Sequence, residues 1–112
     1  LKLMSNSTTG YDAKDMKSKK RYQIKSRRFT KYSISRQMGV MRNLERGGFD
    51  YLVAVIFDED FSVHECYVIP RKLLLEYAHK TKNPRFSRHQ NGYIFFLRGK
   101  ILQDRRTEKL KL

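Results

Sequence analysis

The chain has 112 residues, which suits one domain with one core, and its hydrophobic fraction of 39%, with seven Phe and seven Tyr, indicates that it folds. Its formal net charge of +14 favours a polyanionic partner, nucleic acid first, over a merely basic soluble protein. The single cysteine, Cys66, excludes an internal disulfide and a cysteine zinc cluster. The longest apolar run, 51–57, is too short to span a membrane, so we expect a cytoplasmic protein.

The first predicted element is a β-hairpin over residues 8–29. Strand-like patterns cover 9–13 and 21–29, with a polar turn between them. If the turn is centred on residues 17 and 18, paired residue numbers sum to 35. Asp12 then lies opposite Gln23, and Lys25 is a diagonal neighbour on the same face. A slip of one residue would move Asp12 to the other face.

These side chains match the needs of a phosphodiester-hydrolysing site. A hard cation such as Mg²⁺ prefers oxygen ligands, here the Asp12 carboxylate, the Gln23 amide oxygen and the backbone carbonyl of Ile24. The ion would polarise the phosphate, and Lys25 would orient water or stabilise the developing negative charge. The alternative is a polar hairpin, rich in lysine, that binds nothing.

The middle of the chain is predicted to hold two helices and a second hairpin. Apolar residues with helical spacing, ended by Gly-Gly, predict a helix over 33–46. The apolar run 49–57 is typical of a strand buried on both faces, and after a turn at 58–60 the chain returns as a strand over 61–69. Pro70 opens the second helix.

The last third is predicted to contain a basic loop at 81–92, either an ordinary connector or a mobile nucleic-acid arm, and a strand at 93–97. The segment 99–112 is a basic tail that holds at most a short docked helix. The full order predicts a single α+β domain over 1–112, in which helices flank a central mixed β-sheet.

Basic side chains surround the proposed site. They form either a patch that tracks phosphates or a solvated turn. Arg36 and Gln37, at the start of the predicted helix, are placed to hold a phosphate. The predicted nucleic-acid contacts are Lys19, Lys20, Arg21, Arg27, Arg28, Lys31, Arg36 and Gln37.

The segments GYDA and YQIK resemble the D…(E/Q)xK signature of the PD-(D/E)xK, restriction-endonuclease-like superfamily. With SRQ, FDYLVAVIFDEDF and IPRKLLLEYA, the chain is similar over roughly residues 5–98 to an uncharacterised bacterial branch of nuclease-like domains. The resemblance implies that Asp12 and Gln23 bind metal and that Lys25 assists hydrolysis. Gln23 replaces the commoner Glu, and the expected core lacks or shortens the family's first helix with its acidic residue.

Together these features predict Mg²⁺-dependent DNA hydrolysis by a small nuclease-like domain. The alternatives are a non-catalytic DNA-binding or assembly module that retains the fold, and an unrelated basic RNA-binding protein. A homodimer is also expected, because the missing first helix would leave an apolar sheet face that a symmetric partner would cover.

Overall fold

The computed structural model describes residues 2–3 and 12–111, which form an α+β fold of two β-sheets and one α-helix. The helix α1 has 10 residues, and no helix in these described residues is long and apolar enough to cross a membrane. The elements in chain order are β1 (Lys2–Leu3), β2 (Ala13–Lys14), β3 (Arg21–Arg28), β4 (Gln37–Met41), β5 (Tyr51–Phe57), β6 (Val63–Pro70), α1 (Arg71–Lys80), β7 (Arg85–Ser87), β8 (Gly92–Phe96), a 3₁₀ turn (Lys100–Leu102) and β9 (Glu108–Leu110).

Six strands form a mixed sheet in the order β1-β2-β3-β5-β6-β9, and three strands form a second sheet in the order β4-β8-β7. In the larger sheet β3 and β5 run parallel, and the other neighbouring strands are antiparallel. A parallel pair requires a crossover connection. Here the crossover contains β4, so the second sheet belongs to the same connection that links β3 to β5.

The core joins the inner face of the larger sheet to the second sheet and to α1. On β5, Leu52 and Ala54 are fully buried, and the parallel register sets Gln23 and Lys25 of β3 beside them. The Gln-x-Lys side of β3 therefore faces the core. The alternate residues of β5 are only partly buried, so the expectation of a strand buried on both faces is correct for one face only.

The helix predicted for 33–46 is wrong. The segment holds β4, which pairs antiparallel with β8, and then turns. A β-bulge in β4, where Gly39 has a φ of 78°, adds one residue to the two-residue strand period, so that Met38 and Met41 are both buried. Apolar residues three positions apart also lie on one face of a helix. For this reason the sequence pattern indicated a helix where the chain forms a bulged strand. Ile34, the first residue of the predicted helical stripe, is 77% exposed.

The C-terminal third has more regular structure than predicted. The strand β7 forms within the loop predicted for 81–92 and pairs with β8. The strand β9 forms within the predicted tail and extends the larger sheet at β6. Arg106 fixes this part of the chain through ion pairs to Glu76 of α1 and to Asp104. The loop predicted for 81–92 thus contains a paired strand, and the tail predicted for 99–112 contains a docked 3₁₀ turn and β9.

Candidate functional site

The hairpin of β2 and β3 has the predicted register. Ala13 pairs with Tyr22 and Lys14 pairs with Arg21, so paired residue numbers sum to 35 as expected. Residues 9–11 of the predicted first strand lie outside the described part of the chain. The confirmed register sets the start of β2 beside the Gln-x-Lys segment of β3.

Asp12 lies where the regular pairing of β2 ends. Its backbone N–H donates to the Tyr22 carbonyl at 2.8 Å, and its Oδ2 accepts a hydrogen bond from the Ile24 N–H at 2.8 Å. The carboxylate thus replaces the backbone acceptor that a longer β2 would supply. Because the N–H and C=O of a strand residue point to the same side, the Ile24 carbonyl also faces this side of β3.

Gln23 is the buried polar group of the site. The residue is 9% exposed, and it is the only polar or charged residue that is buried among residues 12–111. Its Oε1 accepts no hydrogen bond from the residues that the structure describes. Burying an amide oxygen without a donor costs about 1–3 kcal/mol. A bound cation would compensate this cost, because amide oxygens are ligands for hard cations.

Lys25 follows on the same side of β3 and is partly buried. It makes no hydrogen bond or ion pair with any residue that the structure describes. Burial lowers the pKa of its ammonium group; the Asp12 carboxylate opposes this shift and the Arg42 guanidinium adds to it. One carboxylate and one further cation therefore act on the Lys25 ammonium, and the resulting excess of positive charge suits an anion such as a phosphodiester.

Arg42 is the member of this group that the sequence did not indicate. It directly follows β4 and is exposed, whereas the helix predicted for 33–46 placed it on the face opposite the apolar stripe. A prediction that residues 37–41 form a strand next to β3 would have placed Arg42 near the hairpin.

The oxygen donors at the hairpin are one carboxylate, one amide oxygen and one backbone carbonyl. Their chemical type fits Mg²⁺, which binds through oxygen, and a second carboxylate is not among them. Across the described ranges there is no group of three or more His, Cys, Asp or Glu side chains placed to hold a metal.

Two of the predicted nucleic-acid contacts bind within the fold. The Arg21 guanidinium contacts Asp50 at 3.3 Å and donates to the Gly47 carbonyl at 2.9 Å. The Arg36 guanidinium forms two hydrogen bonds to Glu65, at 2.7 and 2.9 Å. Contact of either arginine with a phosphate would compete with a carboxylate already in place.

The other predicted basic contacts lie along β3 and beyond its two ends. Eight residues of strand extend over about 26 Å, so these cations can follow several phosphates. Arg28 lies over the Phe61 ring at 4.5 Å, which fixes its position at the surface. Gln37 lies in β4, so the helix start on which its predicted phosphate contact was based is wrong. The basic residues concerned are Lys19, Lys20, Arg27, Arg28 and Lys31.

No family model matches this chain, and no curated protein matches it. The resemblance to the restriction-endonuclease-like superfamily therefore stays a prediction from the motif. The functional interpretation of the hairpin rests on its own side chains and their surroundings.

Proposed function

We propose that the β2–β3 hairpin is a Mg²⁺-dependent site for DNA phosphodiester hydrolysis, in a small domain of restriction-endonuclease-like type. The observation that carries this proposal is the Gln23 Oε1, a buried acceptor for which the described residues supply no hydrogen-bond donor. Gln23 lies on β3 between Tyr22 and Ile24, the two residues to which Asp12 is hydrogen-bonded, and two residues before the partly buried Lys25. Unsatisfied buried polar atoms are uncommon in native cores, and functional sites are where they are tolerated.

The three oxygen donors would hold the ion: the Asp12 Oδ1, the Gln23 Oε1 and the Ile24 carbonyl. The Asp12 Oδ2 accepts the hydrogen bond from the Ile24 N–H, whereas the Asp12 Oδ1 accepts no hydrogen bond from the described residues. When bound, Mg²⁺ polarises a phosphate oxygen and lowers the pKa of a coordinated water. The Asp12–Ile24 hydrogen bond fixes the carboxylate against β3 and thereby pre-orients its free oxygen.

Lys25 and Arg42 supply the positive charge of the site. Their two cations would bind the non-bridging phosphate oxygens and offset the negative charge that develops during attack by water. The surroundings that lower the pKa of Lys25 also make its ammonium poorly hydrated, so an anionic substrate is favoured over water as its partner.

The second candidate is a non-catalytic DNA-binding or assembly module with the same fold. The hydrogen bond from the Ile24 N–H to the Asp12 Oδ2 favours it, because that bond by itself gives the carboxylate a structural role at the end of β2. The donor set with a single carboxylate favours it as well. In this alternative the basic residues along β3 bind phosphates without any hydrolysis.

Plasmid cleavage by identically purified variants tests the proposal. Asp12→Asn is the sharpest change, because the amide keeps an oxygen acceptor for the Ile24 N–H while it removes the charge. We expect wild type to cleave with Mg²⁺ and not with chelator, and Asp12→Asn, Asp12→Ala and Lys25→Ala to lose cleavage. Asp15→Asn is the matched control, because Asp15 is the other aspartate of the hairpin and lies at its turn. It should cleave like wild type.

Binding measurements complete the test. Asp12→Ala should bind DNA as well as wild type or better, since a negative charge is removed, and Lys25→Ala should bind slightly less well. Gln23→Glu should bind Mg²⁺ more tightly, because it adds a second carboxylate. Equal cleavage by wild type and Asp12→Asn would assign the activity to another site or to a contaminant. A wild type that neither cleaves DNA nor binds Mg²⁺ would leave the non-catalytic module.

A further inference from the structure

A depression of about 460 Å³ lies between the residues that follow β4 and the β7–β8 hairpin. Its volume falls within the range of about 300–1,000 Å³ that is common for small-ligand pockets. The side chains that matter for its chemistry are Arg42, Asn43, Arg46, Phe86, Asn91 and Tyr93.

One wall of the depression is aromatic. Phe86 of β7 is 51% exposed, and its ring meets that of Tyr93 in a T-shaped arrangement with centroids 5.2 Å apart. Tyr93 is buried, and its hydroxyl donates a hydrogen bond to the Glu45 carboxylate. A half-exposed ring supported by a fixed buried ring forms a stacking surface for a planar ligand.

The floor of the depression is formed by closely packed backbone of β4 and β8. Gly92 lies against β4, and a Cβ atom at this position would approach the Met41 carbonyl oxygen to 2.8 Å. Only glycine therefore permits β8 to approach β4 this closely. Asn91, directly before it, has a φ of 51°, a left-handed conformation that asparagine tolerates well. The amide of Asn91 is thus presented from a defined turn.

The polar side chains of the depression have unused hydrogen-bonding capacity. The side chains of Arg42, Asn43, Arg46 and Asn91 make no hydrogen bond or ion pair with any residue of the described segments. The two amides carry both donors and acceptors, which is what the edge of a nucleobase presents. The two guanidinium groups match phosphates. A planar, polar-edged ring attached to a phosphate satisfies all of these groups.

Arg42 belongs to both sites. It lines the depression and directly follows β4, which packs against β3, and its charge acts on Lys25 at the hairpin. A phosphate held between Lys25 and Arg42 is therefore adjacent to the space into which its own nucleotide, or the next one, would project its base.

We propose that this depression binds an unpaired nucleobase of single-stranded DNA whose phosphate lies at the hairpin. A base paired and stacked in a duplex cannot reach such a pocket without leaving the stack. The inference rests on the proposed function for the position of the phosphate. Base binding itself needs neither metal nor hydrolysis, so the two proposals are separable by experiment.

The probe is a single-stranded oligonucleotide of about 12 nucleotides with 2-aminopurine at one position, studied in chelator. Stacking on an aromatic ring quenches its fluorescence, whereas phosphate contacts alone do not. We expect quenching on binding to wild type and to Phe86→Tyr, and no quenching with Phe86→Leu, which should also bind about tenfold more weakly. Tyr32→Ala is the matched control, because it removes an aromatic side chain that is 86% exposed and lies elsewhere. It should leave quenching and affinity unchanged.

A second variant keeps the test decisive if Phe86→Leu folds poorly. Asn91→Gly removes the amide and still tolerates the positive φ, and we expect it to weaken binding about fivefold. Saturated binding to wild type without quenching would overturn the proposal, as would equal quenching by Phe86→Leu. Quenching that persists in Asp12→Asn together with loss of cleavage would support both sites. Quenching by a wild type that shows no DNA cleavage would support the nucleobase site and would overturn only the proposed hydrolytic function.

Discussion

The buried amide of Gln23 allows a direct test of whether the hairpin is built for a ligand. Gln23→Met keeps a similar side-chain volume and removes the Oε1 that lacks a hydrogen-bond donor. In chelator, the free energy of unfolding should therefore rise, by about 1–2 kcal/mol, because the desolvation cost of the orphaned oxygen disappears. For a domain of this size the midpoint of thermal unfolding should rise by about 4–8 °C.

Added Mg²⁺ should reduce this difference in the free energy of unfolding. An ion that binds only the folded state stabilises it by about 1.4 kcal/mol at a concentration ten times its Kd, and wild type should gain this stability. The variant lacks one ligand and should gain much less. Thermal unfolding followed by circular dichroism, with Mg²⁺ and with chelator, measures both effects. Gln37→Met, which removes a partly buried amide from β4, is the control and should show neither effect.

Two results would refute this reasoning. A lower unfolding midpoint for Gln23→Met in chelator would mean that Oε1 has a favourable partner in solution and costs nothing. An equal Mg²⁺ shift in wild type and variant would remove Gln23 from the ligand set and would leave the buried amide without a functional explanation.

The remaining predictions concern acid stability, salt dependence and self-association. The hydrogen bonds from Arg36 lower the pKa of Glu65 from 4.5 to about 2. The resulting stabilisation, about 3 kcal/mol, is complete above pH 4.5 and is lost as the pH falls towards 2; acid titration of unfolding should show this loss in wild type and not in Glu65→Gln. DNA affinity should fall with salt at a log–log slope of about −5 for six phosphate contacts, and Arg27→Ala should reduce the slope by about 0.9, whereas a flat salt response would contradict nucleic acid as the main partner. The partly buried outer face of the larger sheet, where Val53 pairs with Val68, should mediate a homodimer; sedimentation should show Val53→Asp as a monomer, and a monomeric wild type at micromolar concentration would contradict the dimer.

Local patterns in the sequence were sufficient to predict the β2–β3 hairpin, the strands β5 and β6, and the helix α1. The register of β2 and β3 depends on where the turn lies, and the polar residues around position 17 mark that place. The β5–β6 hairpin and α1 are likewise specified by an apolar run, a turn and a proline within a short stretch. The side chains of Asp12, Gln23 and Lys25 could be assigned to one region for the same reason.

Long-range contacts determined the features that local sequence patterns did not predict. Met38 and Met41 have the same spacing in a helix and in a bulged strand, and only pairing with β8 selects the strand. Arg36 is engaged in the fold because Glu65, 29 residues away in sequence, lies beside it, and no local pattern reveals such a partner. The burial of the Gln23 amide and the approach of Arg42 to Lys25 depend in the same way on how the crossover packs against β3. Whether a polar side chain is satisfied, and whether a basic one is available to a phosphate, is set by neighbours distant in the chain, and therefore only the tertiary structure decides it.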